Sequence, residues 1–179
     1  MKIFVIDNGG QWTHRIWRTL CYLNVNAEVV PELKTKVDGV VLSGGPMRMS
    51  STDINCDYFN LNIPILGICA GHQYIAKYFG GKVMASKTPE YGQVQLTILK
   101  DDALFANIPK TSIVWASHND EVTKISKDLV RLAESPNCRV QALKHKTKPF
   151  YGVQFHPEVE HTEYGEQMFK NFIGICKNY

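Results

Sequence analysis

Pro64-Ile65-Leu66-Gly67-Ile68-Cys69-Ala70-Gly71-His72-Gln73 joins a short apolar run to a glycine-flanked turn and then to helix-compatible sequence. A buried strand that runs into Gly67-x-Cys69-x-Gly71 and straight on into a helix is a nucleophile elbow with sulfur in place of oxygen. Such a turn forces its central residue into a strained conformation, and glycines two before and two after it leave room for the chain to fold back. The pattern predicts Cys69 exposed at the turn. There it caps a helix N-terminus, where free backbone N–H groups and the helix dipole favour thiolate over thiol.

Upstream of this segment, Ile3 to Ile6, Val29-Val30 and Val37 to Leu42 are further short runs rich in β-branched residues, like Ile63 to Ile68 itself. Polar or helix-compatible sequence separates them; after the break at Asn8-Gly9-Gly10, for example, Ile16, Leu20 and Leu23 recur at helical spacing. Alternation of this kind predicts a parallel sheet covered by helices. Past Gly80-Gly81 the texture changes. Val94 to Ile98 alternates, as does Ser112 to Trp115, and Leu129 to Leu132 and Val140 to Leu143 follow after short turns, which predicts antiparallel or mixed additions. A last run, Phe150 to Phe155, leads into His156-Pro157-Glu158, and Met168, Phe169, Phe172 and Cys176 mark a closing amphipathic helix. The fold class expected is α/β, an open mixed, mostly parallel sheet flanked by helices. With no internal repeat or linker, residues 1–179 read as a single domain.

Composition narrows the function classes. The 179 residues are 44% hydrophobic, 21% charged and 11% aromatic, and 20 Lys+Arg against 17 Asp+Glu leave +3. These charges are dispersed, so no strong field for nucleic acid is evident, and the densest basic stretch, Lys144 to Lys148, reads as a solvated loop. The start reaches Asp7 after four apolar residues, and nowhere do about 18 apolar residues run on uninterrupted, so neither export nor membrane spanning is supported. Five cysteines, an odd number without a C-x-x-C pair, argue against a disulfide framework or zinc ribbon and fit a reducing, cytoplasmic setting. Cys21, Cys56, Cys138 and Cys176 are expected to be inert.

A thiolate nucleophile needs a base, and His156-Pro157-Glu158 follows a strand as such a base should. Proline biases His156 toward an extended backbone, and in an extended chain residues i and i+2 point the same way. Glu158 is therefore expected to accept from the imidazole and fix its tautomer, completing a triad with Cys69. A metal reading of His156, Glu158 and His161 lacks a second cluster to complete the shell. Ser43-Gly44-Gly45-Pro46 ends a buried strand at the carboxyl edge of the sheet, where a glycine N–H could face an oxyanion together with the N–H of Ala70. Neither a G-x-x-x-x-G-K-[ST] loop nor a G-x-G-x-x-G fingerprint occurs, so nucleotide binding has no support.

Together, S-G-G-P at 43–46, G-I-C-A-G-H-Q at 67–73, S-H-N-D at 117–120 and G-V-Q-F-H-P-E at 152–158 resemble the class I (triad) glutamine amidotransferases, in that family's order and over essentially the whole chain. The opening D-N-G-G-Q-W-T-H-R-I-W-R-T-L and the stretch H-P-E-V-E-H-T-E-Y-G are similar to the glutaminase subunits of archaeal GMP synthases built from two chains. The resemblance implies a flavodoxin-like three-layer fold. It further implies that Cys69 attacks the side-chain amide of L-glutamine, that His156 shuttles protons and Glu158 orients it, and that the N–H groups of Gly45 and Ala70 hold the oxyanion. By the same matching Gln73, Ser117, Asn119 and Asp120 line the glutamine pocket. Asn119 stands where related enzymes often have glycine; because Asn tolerates positive φ, the turn expected at 117–120 should survive. No metal and no cofactor are expected in this chain. Ending at Tyr179, it is expected to lack the ATP pyrophosphatase domain and so to serve a separate synthetase subunit that binds ATP, Mg²⁺ and XMP. Anthranilate, aminodeoxychorismate or carbamoyl phosphate synthesis would use the same chemistry, and a non-catalytic cysteine sensor of the same fold is the reading from another class.

Overall fold

A computed structural model describes residues 1–33, 36–48 and 57–179, so that Cys56 lies outside the described residues. In chain order the elements are β1 (Lys2–Ile6), α1 (Thr13–Tyr22), β2 (Asn26–Val30), β3 (Gly39–Leu42), β4 (Ile65–Ile68), α2 (Ala70–Tyr78), β5 (Lys82–Ile98), β6 (Thr111–Lys124), β7 (Leu129–Glu134), β8 (Ala142–His145), β9 (Phe150–Val153) and α3 (Gly165–Lys177).

Because side chains alternate across a strand, a continuous apolar run supplies two cores. Ile3, Val5, Val41, Leu66 and Ile68 face one side, where Ile16 and Leu20 of α1 and Phe169 and Phe172 of α3 close over them. Ile6, Val40, Leu42 and Ile65 face the other, under Tyr74, Ile75 and Ala76 of α2. The result is the expected three-layer arrangement of a sheet between helices.

Strand order is β2-β1-β3-β4-β9-β8-β7-β5-β6. The first five pair in parallel, and β9-β8, β8-β7, β7-β5 and β5-β6 pair antiparallel, so the change of texture after Gly80-Gly81 marks the antiparallel half. Strand β9 is the seam, parallel to β4 on one edge and antiparallel to β8 on the other. β8 begins two residues later than the apolar run from Val140 suggests, because the ladder with β7 shifts register between Arg131 and Ala133 and Gln141 is bound outside it, to the Ala133 carbonyl.

After β1 the chain goes to β2 on one side and then crosses to β3 on the other. Loops leaving the carboxyl ends of β1 and β3 therefore diverge and open a crevice, the place where ligands bind in open α/β sheets. Residues 43–46 and 69 leave strands at this same edge, as does the segment leading to His156.

Candidate active site

Cys69 links β4 to α2 with φ +51° and ψ −102°, a conformation that L side chains rarely adopt. Both flanking glycines are required by contact. A Cβ on Gly67 would fall on the backbone of Gly71, and one on Gly71 would approach the Leu42 carbonyl oxygen to 2.5 Å and the Leu42 Cβ to 2.7 Å. The Cys69 N–H donates to the Val153 carbonyl at 2.8 Å, and the Cys69 carbonyl accepts from the Gln73 N–H at 3.1 Å. Against expectation the residue is not exposed: only 8% of its surface is accessible. Gly44, the Ser117 carbonyl of β6 and Gln154 lie against it, and it lines a cleft.

His156 also reaches its partner by a different route from the one its sequence suggests. Its N–H donates to the Trp115 carbonyl at 2.8 Å, and the Val159 N–H returns to the His156 carbonyl at 3.3 Å, closing a turn. Glu158 therefore meets His156 across a turn and not along an extended chain; Pro157 sets the turn instead of prolonging the strand. The separation of His156 Nδ1 from Glu158 Oε1 is 2.7 Å. Since a carboxylate only accepts, Nδ1 carries the proton, and the other ring nitrogen is left for the Cys69 sulfur. Trp12 holds the ring from the side, edge to face, with centroids 4.4 Å apart. Burial disfavours a charged imidazole, but the Glu158 carboxylate, reinforced by the hydrogen bond with Cys69, outweighs it and holds the His156 pKa up at about 10. At neutral pH the ring is an imidazolium beside the sulfur.

The side of the cleft expected to hold an oxyanion is bare backbone. Gly45 packs so tightly on Asn8 that a Cβ would lie 3.1 Å from that of Asn8, and Asn8 is itself pinned by bonds to Ser43 Oγ (2.9 Å) and the Ser43 carbonyl (2.8 Å). Ala70 is the first residue of α2, so its N–H lies among those without an intrahelical acceptor. Gly44, not among the expected site residues, lies against both Cys69 and His156: a Cβ there would lie 3.2 Å from His156 Cε1 and 3.6 Å from Cys69 Cβ.

Gly45, Cys69, Ala70, Gln73, Ser117, Asn119, Asp120, His156 and Glu158 all line one cleft of about 350 Å³. Gln73 is buried, with Nε2 donating to the Asp120 carbonyl at 2.8 Å and to Gln154 Oε1 at 3.0 Å. Both amide protons being committed, it can offer a ligand only an acceptor. Ser117 meets the sulfur through its carbonyl, 3.8 Å away. The turn expected at 117–120 is instead part of β6, and Asn119 does not have positive φ. Asn119 is exposed at the cleft wall, where its Oδ1 accepts from the Tyr91 hydroxyl at 2.6 Å. Asp120 is buried beneath it.

His118, between them, stands on a buried polar pedestal. Its ring nitrogens lie 3.1 Å from the Asp120 carbonyl and 3.1 Å from Glu90 Oε2, and Glu90 also accepts from Ser135 Oγ (2.7 Å) and Gln141 Nε2 (2.6 Å). Burial works to raise the Glu90 pKa, but the bonds from His118 and Ser135 prevail and hold it below its ordinary value. Glu90, His118 and Cys138 are the described residues with ligand atoms close enough to share a metal, within 4.8 Å of one another. Their carboxylate is already saturated by protein donors, and burial pushes the Cys138 thiol far up, away from the thiolate a metal binds. His161, weighed with His156 and Glu158 as a ligand, packs its ring on Trp115. Cys138 and Cys176 are buried and Cys21 is half-buried.

Sequence reasoning passes over Trp12, Tyr91 and Gln154. Gln154 alone leaves a signal, since it precedes His156 by two residues in the same motif.

The glutamine amidotransferase class-I family model matches residues 4–175, and the chain belongs to that family. One subunit of the glutamine-hydrolyzing GMP synthase of Pyrococcus furiosus is 47% identical over 186 residues, covering 97% of this chain and 98% of its own. Its namesake from Methanocaldococcus jannaschii is 46% identical over 182 residues, covering 97% of each. A solved Thermoplasma acidophilum protein, provisionally named as a GMP synthase subunit, superposes with a TM-score of 0.92 at 42% identity, covering 100% of this chain and 95% of its own. Among the described residues no helix is long and apolar enough to cross a membrane.

Proposed function

We propose that this chain is the glutaminase subunit of a two-subunit GMP synthase. The observation that carries the glutaminase reading is the strained, cleft-facing Cys69 beside an imidazole fixed by Glu158 at 2.7 Å. Cys69, as the thiolate whose proton His156 holds, attacks the γ-carboxamide carbon of L-glutamine, and the N–H groups of Gly45 and Ala70 receive the oxyanion. The His156 imidazolium gives its proton to the leaving nitrogen. Ammonia departs, a γ-glutamyl thioester remains, and water activated by the now neutral His156 releases glutamate. Gln73, Ser117, Asn119 and Asp120 hold the glutamine.

The acceptor assignment follows the relatives, which are named as subunits of glutamine-hydrolyzing GMP synthases at 44% to 47% identity. Ammonia is mostly ammonium at neutral pH and then no nucleophile, so it passes to a docked synthetase subunit that aminates XMP. ATP and Mg²⁺ act on that partner; this chain uses no cofactor and contacts neither nucleic acid nor membrane. It works in the cytoplasm, and its glutaminase rate is low until the loaded synthetase binds.

Cys69→Ala tests the reading. Glutamine-dependent GMP formation with the synthetase should fall by roughly a thousandfold or more, while ammonium salts still support the partner. A diazo-ketone analogue of glutamine should label Cys69 alone, and glutamine should block it. Indifferent labelling of Cys21 and Cys69, or glutamine-dependent synthesis surviving in Cys69→Ala, would favour a cysteine sensor instead.

A further inference from the structure

Gln154 leaves the end of β9 fully buried, with Nε2 3.6 Å from Cys69 Sγ and Oε1 accepting from Gln73 Nε2 at 3.0 Å. The two amides can be oriented in one way only, because the far end of the chain of bonds is a backbone carbonyl. The Asp120 carbonyl only accepts, so the Gln73 NH₂ must face it at 2.8 Å. The second Gln73 proton must then meet an acceptor, Gln154 Oε1, which turns the Gln154 NH₂ onto the sulfur. Two side chains separated by 81 positions thus deliver a directed N–H to the reacting atom.

We propose that Gln154 is a catalytic residue whose amide N–H stabilises the Cys69 sulfur as the leaving group of thioester hydrolysis, and that Gln73 is the positioning residue that fixes that amide. The proposal rests on the reading of Cys69 as the nucleophile. In the hydrolytic step the water oxygen bonds to the thioester carbon and the water proton passes to His156. The carbon–sulfur bond then breaks with its electron pair on Sγ. Sulfur in the thioester carries little charge and the departing thiolate a full one, so a fixed donor favours the end of the step over its beginning. Acylation depends chiefly on the neighbouring imidazolium and is largely retained without the amide.

Gln154→Met keeps the volume and removes the donor. Alkylation of Cys69 by iodoacetamide near neutral pH should slow several-fold, because the anionic sulfur loses a fixed donor. In acid-quenched reactions with radiolabelled glutamine, several-fold more glutamyl group should remain bound to the protein, while kcat and KM fall together by roughly tenfold. Gln73→Met should move the same readouts in the same direction by less, because the Gln154 amide survives but is free to turn. A folded Gln154→Met with the native alkylation rate and native thioester level overturns the proposal. If that variant does not fold, Gln154→Glu preserves size and the Gln73 contact but turns a carboxylate on the sulfur, and an unchanged alkylation rate there overturns it equally. Glutaminase activity surviving in Cys69→Ala would instead remove the nucleophile on which the proposal stands.

Discussion

His156 carries the strongest electrostatic bias in the cleft. Its pKa of about 10 lies above the ordinary value of 6.5, so the charged ring contributes stability that is complete below pH 6.5 and is lost as pH rises through about 10. In the proposed mechanism chemistry follows the same window, since there the imidazolium is the proton donor to departing ammonia. Glu158→Gln keeps a hydrogen-bond acceptor for Nδ1 but removes the charge. The alkaline limb of the glutaminase pH–rate profile should then move down from about 10 toward the ordinary range, with a loss of about tenfold at pH 7 that grows with pH. An unmoved alkaline limb would show that Glu158 does not set it. At this scale the sequence is most legible where chemistry dictates residue type at short spacing, as in Gly67-x-Cys69-x-Gly71 and His156-Pro157-Glu158. It is silent where a contact spans distance: no local pattern relates Gln154 to Cys69, 85 positions away, or Tyr91 to Asn119. Cys69 is not exposed as its motif predicts, because β6 and Gln154, both remote in sequence, lie against it.

Helix α2 and strand β6 show what decides an element. α2 leaves the elbow so close to β3 that Gly71→Ala would force its Cβ against Leu42, and overpacking of this kind costs about 1–3 kcal/mol. Gly174, inside α3, has nothing within 4 Å of a built Cβ, so Gly174→Ala should gain about 0.5–1 kcal/mol from helix propensity. Chemical denaturation of the two variants side by side should give opposite signs; equal effects would mean that the Leu42 contact does not constrain the elbow. In β6 the sequence misleads for a physical reason. Ser117, Asn119 and Asp120 are turn-forming residue types, yet Ser112, Val114, Ala116, His118, Asp120 and Val122 alternate as buried positions along one strand. His118 and Asp120 put polar groups at two of the buried positions beside the cleft, and the period is visible only once His118 is seen satisfied by Glu90 and the Asp120 carbonyl. By contrast α1, α3 and the first four strands can be read directly, because their apolar spacing matches their period.

For the whole molecule, His72 sets an acid limit. It is fully buried on α2 against Gly152, and burial drives its pKa down to about 3, outweighing the nearby carbonyl groups of Gly152 and Val140. Below pH 6.5 the unfolded chain takes up a proton that the native state refuses, so stability falls as pH drops toward 3. Urea unfolding of His72→Leu across this range should be less steep in pH by about 1.4 kcal/mol per unit, one proton's worth. A slope equal to the native one would mean that this ring is not the acid-sensitive group. The two halves of the sheet are distinguishable in the sequence, but their order is not, since strand pairing is settled by packing between distant segments. What that order entails concerns where β9 sits. Flanked on both edges, it anchors the imidazole and the amide at position 154 in the best-supported ground of the architecture, whereas residues 117–120 belong to an outermost ribbon. If residues 117–120 hold glutamine as proposed, mild warming or denaturant would thus blunt its recognition while the sulfur and its ring remain competent to react.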